Sequence, residues 1–158
     1  MTRVGLGVDA HAFDESRTLI LGGVSIPYDR GLSGHSDADV LSHAIADALL
    51  GAAGLGDVGE MFPATDEWKG ASSIRLLSEV TAKLESAGWR VTNVDATVVA
   101  REPKLAPHRP AMATRIAEAL KVGAEAVSVK ATTTDGLGFT GRGEGIACMA
   151  VALIETVG

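Results

Sequence analysis

The 158 residues carry 20 acidic against 14 basic side chains, a formal charge of −6, which excludes a broad cationic surface for nucleic acid or anionic lipid. Apolar residues make up 46% of the chain and aromatic ones only 4%, so the core must be built from Ala, Val, Leu and Ile, and the length suits one domain, 1–158. A lone Cys148, no basic-then-apolar segment in MTRVGLGVDAH and no apolar run near the ~20 residues that span a bilayer point to a cytoplasmic protein without disulfides or membrane contact.

Taken in chain order, Arg3 to Ala12 alternates loosely and is rich in Val and Gly, a strand. Leu19–Leu21 meets Val24–Ile26 across Gly22-Gly23, a two-residue hairpin. Ser36-Asp37-Ala38-Asp39 fits a capping pattern, with Asp in place of Glu, and opens an Ala/Leu-rich helix that Gly51 can end. Leu41, Ile45, Ala48 and Leu49 share one face of it, while Asp39, His43 and Asp47 recur every four residues on another. A Gly/Pro/acid-rich loop over 54–70 leads to a helix from about Ser72 to Ala87, closed by Gly88. Val91 to Ala100 reads as a strand, Glu102 to Pro110 as a loop with three prolines, and Ala111 to Leu120 as a helix. Two strands follow, Val127 to Ala131 and Gly145 to Glu155, around a glycine-rich turn over 132–143. Strands and helices interleave without a strict βαβ repeat, which predicts an α+β sandwich: a mixed sheet with helices packed on one face.

Asp9 and His11 are two apart on a strand, so both leave the same face, and neither suits an aliphatic core. With His43 they make one carboxylate and two imidazoles, a set suited to zinc with an open fourth position, and Asp47 stands one turn on as a helper for the second ring nitrogen of His43. D-x-H is a weak pattern by itself, and the same residues read as surface turn formers with His43 a solvated helix residue. His35 immediately precedes the helix capped by Ser36, where free backbone N–H groups favour a phosphate; the same residues also read as a plain helix start. Lys130 to Asp135 puts three hydroxyls and a carboxylate at a strand end, and oxygen ligands of that kind suit Mg²⁺ when a substrate supplies phosphates. Phe62 to Asp66, after Gly56-Asp57-Val58-Gly59, reads as a lid or as an ordinary connection, and 101–108 as a base pocket or as a proline-stiffened loop. Cys148 and Met149 read as core or interface residues.

With Gly7 to His11, His35-Ser36-Asp37, Asp47 to Gly51, Gly56 to Gly59, Phe62-Pro63 and the run KATTTDGLGFTGRGEGIAC in this order, the chain closely resembles the 2-C-methyl-D-erythritol 2,4-cyclodiphosphate synthase family over nearly its whole length. The resemblance implies a homotrimer with active sites between subunits. It implies Asp9, His11 and His43 as zinc ligands, Asp135 as the Mg²⁺ or Mn²⁺ ligand, and His35 and Thr133 as the catalytic pair that polarises the phosphates. Asp57, Val58 and Gly59, with the Phe62 to Asp66 loop, would contact the methylerythritol phosphate, and Asp9, His11, His35 and Ser36 would also bind substrate. Ala100, Pro103, Lys104, Leu105, Ala106, Ala131 and Thr132 would form the cytidine pocket, with Thr133, Thr134, Asp135, Phe139 and Arg142 as further contacts.

Two positions depart from the family's commonest pattern: Asp135 stands where Glu is usual, one methylene shorter, and Ala64 replaces an acid of the lid. The implied reaction closes a cyclic diphosphate on a cytidine-activated sugar alcohol and releases CMP, with metals and positioned donors carrying the phosphoryl transfer. A zinc phosphohydrolase and a non-catalytic nucleotide-binding trimer are the alternatives.

Overall fold

The computed structural model describes residues 1–158. The chain runs β1 (Thr2–Asp14), β2 (Leu19–Leu21), β3 (Val24–Ile26), β4 (Gly31–Leu32), α1 (Val40–Ala53), α2 (Val58–Met61), α3 (Ser73–Ser86), β5 (Trp89–Val99), α4 (Arg109–Leu120), β6 (Val127–Thr132), α5 (Gly138–Gly141) and β7 (Gly145–Thr156). Five strands form one sheet in the order β4-β1-β7-β5-β6, and β2-β3 stands apart as the expected hairpin. Only β5 and β6 run parallel, joined by the crossover through α4; the other pairs are antiparallel. The sheet is mixed, as the interleaved order predicts.

Alternation along the strands sorts the two faces. Ile146, Cys148, Ala150, Ala152 and Ile154 of β7 and Val94, Ala96 and Val98 of β5 are buried under α1 and α3, while α4 packs on β6. On β1 the corresponding inward positions are Gly5 and Gly7, and α1 answers them with Ala44, Ala48 and Ala52. A Cβ on Gly7 would lie 1.9 Å from the carbonyl oxygen of Ala44, and one on Gly5 would lie 1.9 Å from that of Ala48. Helix and strand backbones therefore meet almost directly, which is how a core with so few aromatics closes. The opposite face is open: Val4, Leu6 and Val8 of β1 and Met149 and Val151 of β7 are 43–66% exposed.

The start and end of α1 differ from expectation. Ser36 does not cap it: Ala38 takes φ +57° and breaks the turn, and Asp39 is the cap, its carboxylate accepting from the Ser42 N–H at 3.0 Å. The same carboxylate accepts from the N–H groups of Gly22 and Gly23 at 2.9 and 2.8 Å and from the Ser42 hydroxyl at 2.8 Å. Asp39 is fully buried, and burial pushes its carboxyl up from the usual range while its backbone donors pull it down. The helix also runs through Gly51 and ends at Gly54, whose φ of +70° fits a left-handed cap. Replacing Asp39 with Ala strands three N–H donors and unpins the β2–β3 turn from α1. The expected loss is about 3 kcal/mol, a Tm about 6–12 °C lower for a chain of this size, read by thermal unfolding.

Smaller differences lie at element ends. Strand β5 starts two residues earlier than predicted and α4 already at Arg109, with Pro110 tolerated in its first turn. The loops over 54–70 and 132–143 each contain a single-turn helix, α2 and α5. No helix is long and apolar enough to cross a membrane.

Candidate functional site

β1 delivers Asp9 and His11 to the helix face of the sheet, next to the first turns of α1, which brings His43. Asp9 Oδ2 stands 3.0 Å from His11 Nε2 and 3.2 Å from His43 Nδ1, and the three ligand atoms lie within 4.8 Å of one another. Ligands ~2.0–2.1 Å from one tetrahedral ion are separated by about 3.3 Å, so the two short edges of this triangle match a shared cation. The side chains are 15–25% exposed, enclosed but reachable. This group can hold a divalent metal.

The electrostatics agree. Burial alone would raise the Asp9 carboxyl, yet the hydrogen bonds and positive charge of His11 and His43 hold it down at about 2. Its hydrogen bond to Asp9 raises the pKa of His11. Asp9 is thus an anionic ligand throughout the neutral range. The Nδ1 of His11 donates to the Ser33 carbonyl at 2.7 Å, so Nε2, which donates to Asp9 when no metal is bound, is the nitrogen whose lone pair would ligate one.

Asp47 does not serve His43. Its carboxylate accepts from the Val58 N–H at 2.8 Å, tying α1 to α2, and burial raises its pKa. Nor does a phosphate cradle exist at the head of α1, because Asp39 occupies it and is buried there. His35 lies on the loop before that helix, with Nε2 2.7 Å from the Thr65 carbonyl oxygen. Arg17 clamps this loop by donating to the carbonyl oxygens of Gly34 and Ser36.

A cavity of about 160 Å³ opens beside the cluster, lined by His11, His35, Ser36 and His43 on its polar side and by Val58, Phe62, Ala64, Trp68 and Leu76 on its apolar side. Phe62 packs edge-on to Trp68, with ring centroids 4.8 Å apart. Of the other residues expected here, Asp57 caps α2 through the Glu60 N–H at 2.8 Å, while Gly59 and Asp66 are exposed on the same loop and do not line the cavity.

A second cavity, of about 220 Å³, is lined by Ala100, Arg101, Pro103, Lys104, Leu105 and Ala106 from the segment after β5, by Ala131, Thr132 and Thr133 from the end of β6, and by Arg109. The residues that the resemblance assigns to the cytidine pocket, Ala100, Pro103, Lys104, Leu105, Ala106, Ala131 and Thr132, all line it, whereas Glu102, Pro107 and His108 of the 101–108 segment do not. No residue lines both cavities. Both lie at one end of the sheet, since His11 pairs with Ile146 and Val99 with Ala147. Thr134 turns away, donating to the Leu137 carbonyl, and Asp135, at φ +52°, accepts from the Thr133 hydroxyl at 3.2 Å. Phe139 is 44% exposed and Arg142 pairs with Glu144 at 3.0 Å; Thr134, Asp135, Phe139 and Arg142 line neither cavity. The largest miss of the sequence reading is Ser73, whose hydroxyl meets the far nitrogen of His43 and is itself held by Asp37. Ser73 shows in the sequence only as half of a Ser-Ser pair at the head of a helix, and Asp37 only as part of the His35-Ser36-Asp37 run.

The sequence profile of the YgbB family matches residues 2–155. Over 153 residues the chain is 61% identical to the 2-C-methyl-D-erythritol 2,4-cyclodiphosphate synthase of Moorella thermoacetica, covering 96% of this chain and 94% of that protein. Among solved structures it is similar to the bifunctional IspDF of Campylobacter jejuni, with TM-score 0.95 and 44% identity; 99% of this chain matches 43% of that longer one. It is also similar to the IspF of Plasmodium falciparum in its CDP complex, with TM-score 0.87 and 32% identity over 99% of this chain and 97% of that one. A sheet of this topology carrying a carboxylate–imidazole cluster, matched along nearly its whole length at these identities, belongs to the YgbB family.

Proposed function

We propose that the protein is a 2-C-methyl-D-erythritol 2,4-cyclodiphosphate synthase, a lyase that converts 4-diphosphocytidyl-2-C-methyl-D-erythritol 2-phosphate to the cyclic diphosphate and CMP. The observation that carries the reading is the metal-competent cluster flanked by two clefts at one sheet end, in a chain 61% identical to a protein of that name.

In the reaction an oxygen of the 2-phosphate forms a bond to the β-phosphorus. The bond from that phosphorus to the bridging oxygen breaks, and CMP leaves with that oxygen and its electron pair. A phosphate monoester with a second pKa of ~6 is mostly dianionic at neutral pH, so no strong protein base is required. Asp9, His11 and His43 would hold zinc, and Asp135 would hold Mg²⁺ or Mn²⁺ together with the diphosphate. Bound so, these cations would act as Lewis acids toward the phosphate oxygens and the departing CMP. His35 and Thr133 orient the phosphates by hydrogen bonding. The apolar wall of Val58, Phe62 and Trp68 excludes water from the methylerythritol end, Ser36 adds a hydroxyl to its polar side, and Asp57, Gly59 and Asp66 of the adjoining 54–70 segment would add contacts to the bound substrate. The second cleft takes cytidine, a nucleotide class seen with the Plasmodium falciparum relative as CDP.

The two clefts share no residue, and Val4, Leu6, Val8, Met149 and Val151 stand exposed together on the open sheet face, an apolar patch of the kind that marks an interface. Both features support a homotrimer in which that face is covered by other copies and neighbours combine their clefts into one active site. Phosphorus NMR of the purified protein with the substrate and Mg²⁺ tests the reaction. CMP and a cyclic diphosphate are expected, lost on zinc chelation and restored by zinc, with three chains per particle by sedimentation. A linear phosphorylated product or unchanged substrate would overturn the synthase, and a monomer would overturn the shared site.

A further inference from the structure

Metal binding by Asp9, His11 and His43 requires each imidazole to be held in one orientation and one tautomer. An imidazole ligates through a lone pair, so its other nitrogen must carry the proton, and something has to hold that proton in place. For His11 the Ser33 carbonyl does this, because a carbonyl can only accept. His43 has no carbonyl at its Nε2. It meets the Ser73 hydroxyl at 2.8 Å and the Ser36 hydroxyl at 3.2 Å, and a hydroxyl can donate or accept.

Asp37 removes that ambiguity at Ser73. Its carboxylate embraces the head of α3, one oxygen accepting from the Ser73 N–H at 3.0 Å and the other in contact with the Ser73 hydroxyl. A carboxylate has no proton to give, so the hydroxyl proton goes to Asp37 and the Ser73 oxygen is left to accept from His43 Nε2–H. Nδ1, which stands 3.2 Å from Asp9 Oδ2, is then the nitrogen that presents its lone pair once a metal takes the place of the proton shared with Asp9. Ser73 is 1% exposed, so water does not compete for these bonds. Asp37 is itself fixed: its Oδ1 accepts from the Asp39 N–H at 3.2 Å, and its own N–H donates to the Ala71 carbonyl. Ser36 is the softer partner, since its Oγ lies farther from the ring and already accepts from the Ala38 N–H at 3.3 Å.

We propose that Ser73 and Asp37 act as a positioning relay, Asp37–Ser73–His43, that fixes the ring orientation and tautomer of His43 and so sets the affinity of the cluster for its metal. The inference rests on the assignment of Asp9, His11 and His43 as metal ligands. It makes the head of α3 part of the metal site although no residue of α3 reaches the ion.

The test is zinc affinity of the full chain, measured by competition with a chromogenic chelator, for the parent, Ser73→Ala, Asp37→Asn and the double variant. Thermal unfolding of each in excess chelator serves as the folding control. Loss of an outer partner of a ligating histidine typically weakens metal binding about 10–100-fold, and that loss is expected for each single variant. Because the two act through one chain, the double variant is expected to lose no more than the worse single one. Ser73→Thr keeps the hydroxyl and is expected to bind within a few-fold of the parent. Affinities within twofold of the parent for both Ser73→Ala and Asp37→Asn would overturn the relay. So would multiplying losses in the double variant, or losses that merely track unfolding without rescue by Ser73→Thr. If the parent binds no more zinc than His43→Ala, the ligand assignment itself fails, and the relay with it.

Discussion

His43→Ala is expected to take bound zinc from one per chain to close to none and to lower cyclase turnover by at least about 10³-fold. The size follows from what a bound cation contributes: several kcal/mol of charge stabilisation in phosphoryl transfer, at 1.36 kcal/mol per decade of rate. The substitution removes the single ligand that α1 supplies, leaving Asp9 and His11 on one strand with their 3.0 Å contact and no third corner. The fold should survive, because α1 packs through Leu41, Ile45, Ala48 and Leu49, all fully buried, on a face His43 does not share. Metal analysis and phosphorus NMR on the same preparation check both halves. A zinc-depleted His43→Ala protein that still turns over at the parent rate would end the case for a zinc site at Asp9, His11 and His43.

Much of this site is legible in the sequence because its signals are local. Two ligands two residues apart on a strand must share a face, and the histidine of an amphipathic helix that lies off the apolar stripe must look elsewhere. The cleft where the segment after β5 meets Ala131, Thr132 and Thr133 is expected only through the family resemblance, because proline stiffening over 101–108 fits an ordinary loop as well as a pocket. What fails is what depends on partners remote in sequence. Ser36 carries every local mark of a helix cap, but Ala38 takes a left-handed φ and Asp39 wins because it also captures Gly22 and Gly23, 17 and 16 residues away. Asp47 sits one turn beyond His43, yet the Val58 N–H claims it. Ser73 reaches His43 across 30 residues, and no periodicity announces such a contact. Gly51 reads as a stop because glycine costs a helix about 1 kcal/mol, but this one has nothing to close: the cap falls three residues later at Gly54.

The two glycines Gly7 and Gly51 set a sharp contrast. At Gly7 any side chain would drive its Cβ to 1.9 Å from the Ala44 carbonyl oxygen and 2.7 Å from the Ala48 nitrogen, both backbone atoms of α1 that cannot swing aside. Relief requires helix and strand to separate, and they are the two elements that bring His43 to Asp9 and His11. Gly7→Val is therefore expected to destabilise by more than about 4 kcal/mol, above the usual cost of overpacking because the clash is with backbone atoms that no side-chain rotation relieves. That corresponds to a fall in Tm of at least about 8–16 °C. Zinc affinity should fall alongside in whatever fraction still folds, because the triangle of ligands spans the strained contact. At Gly51 a Cβ would meet nothing within 4 Å, and the residue lies in helical backbone on the exposed side of α1. Gly51→Ala is expected to stabilise by about 0.5–1 kcal/mol through the lost freedom of the unfolded chain, with zinc binding unchanged. Thermal unfolding of the two variants side by side checks the pair. A Gly7→Val protein that melts with the parent would mean that α1 and β1 do not approach as closely as their glycine and alanine faces require, and the ligand triangle would lose its support at the same time.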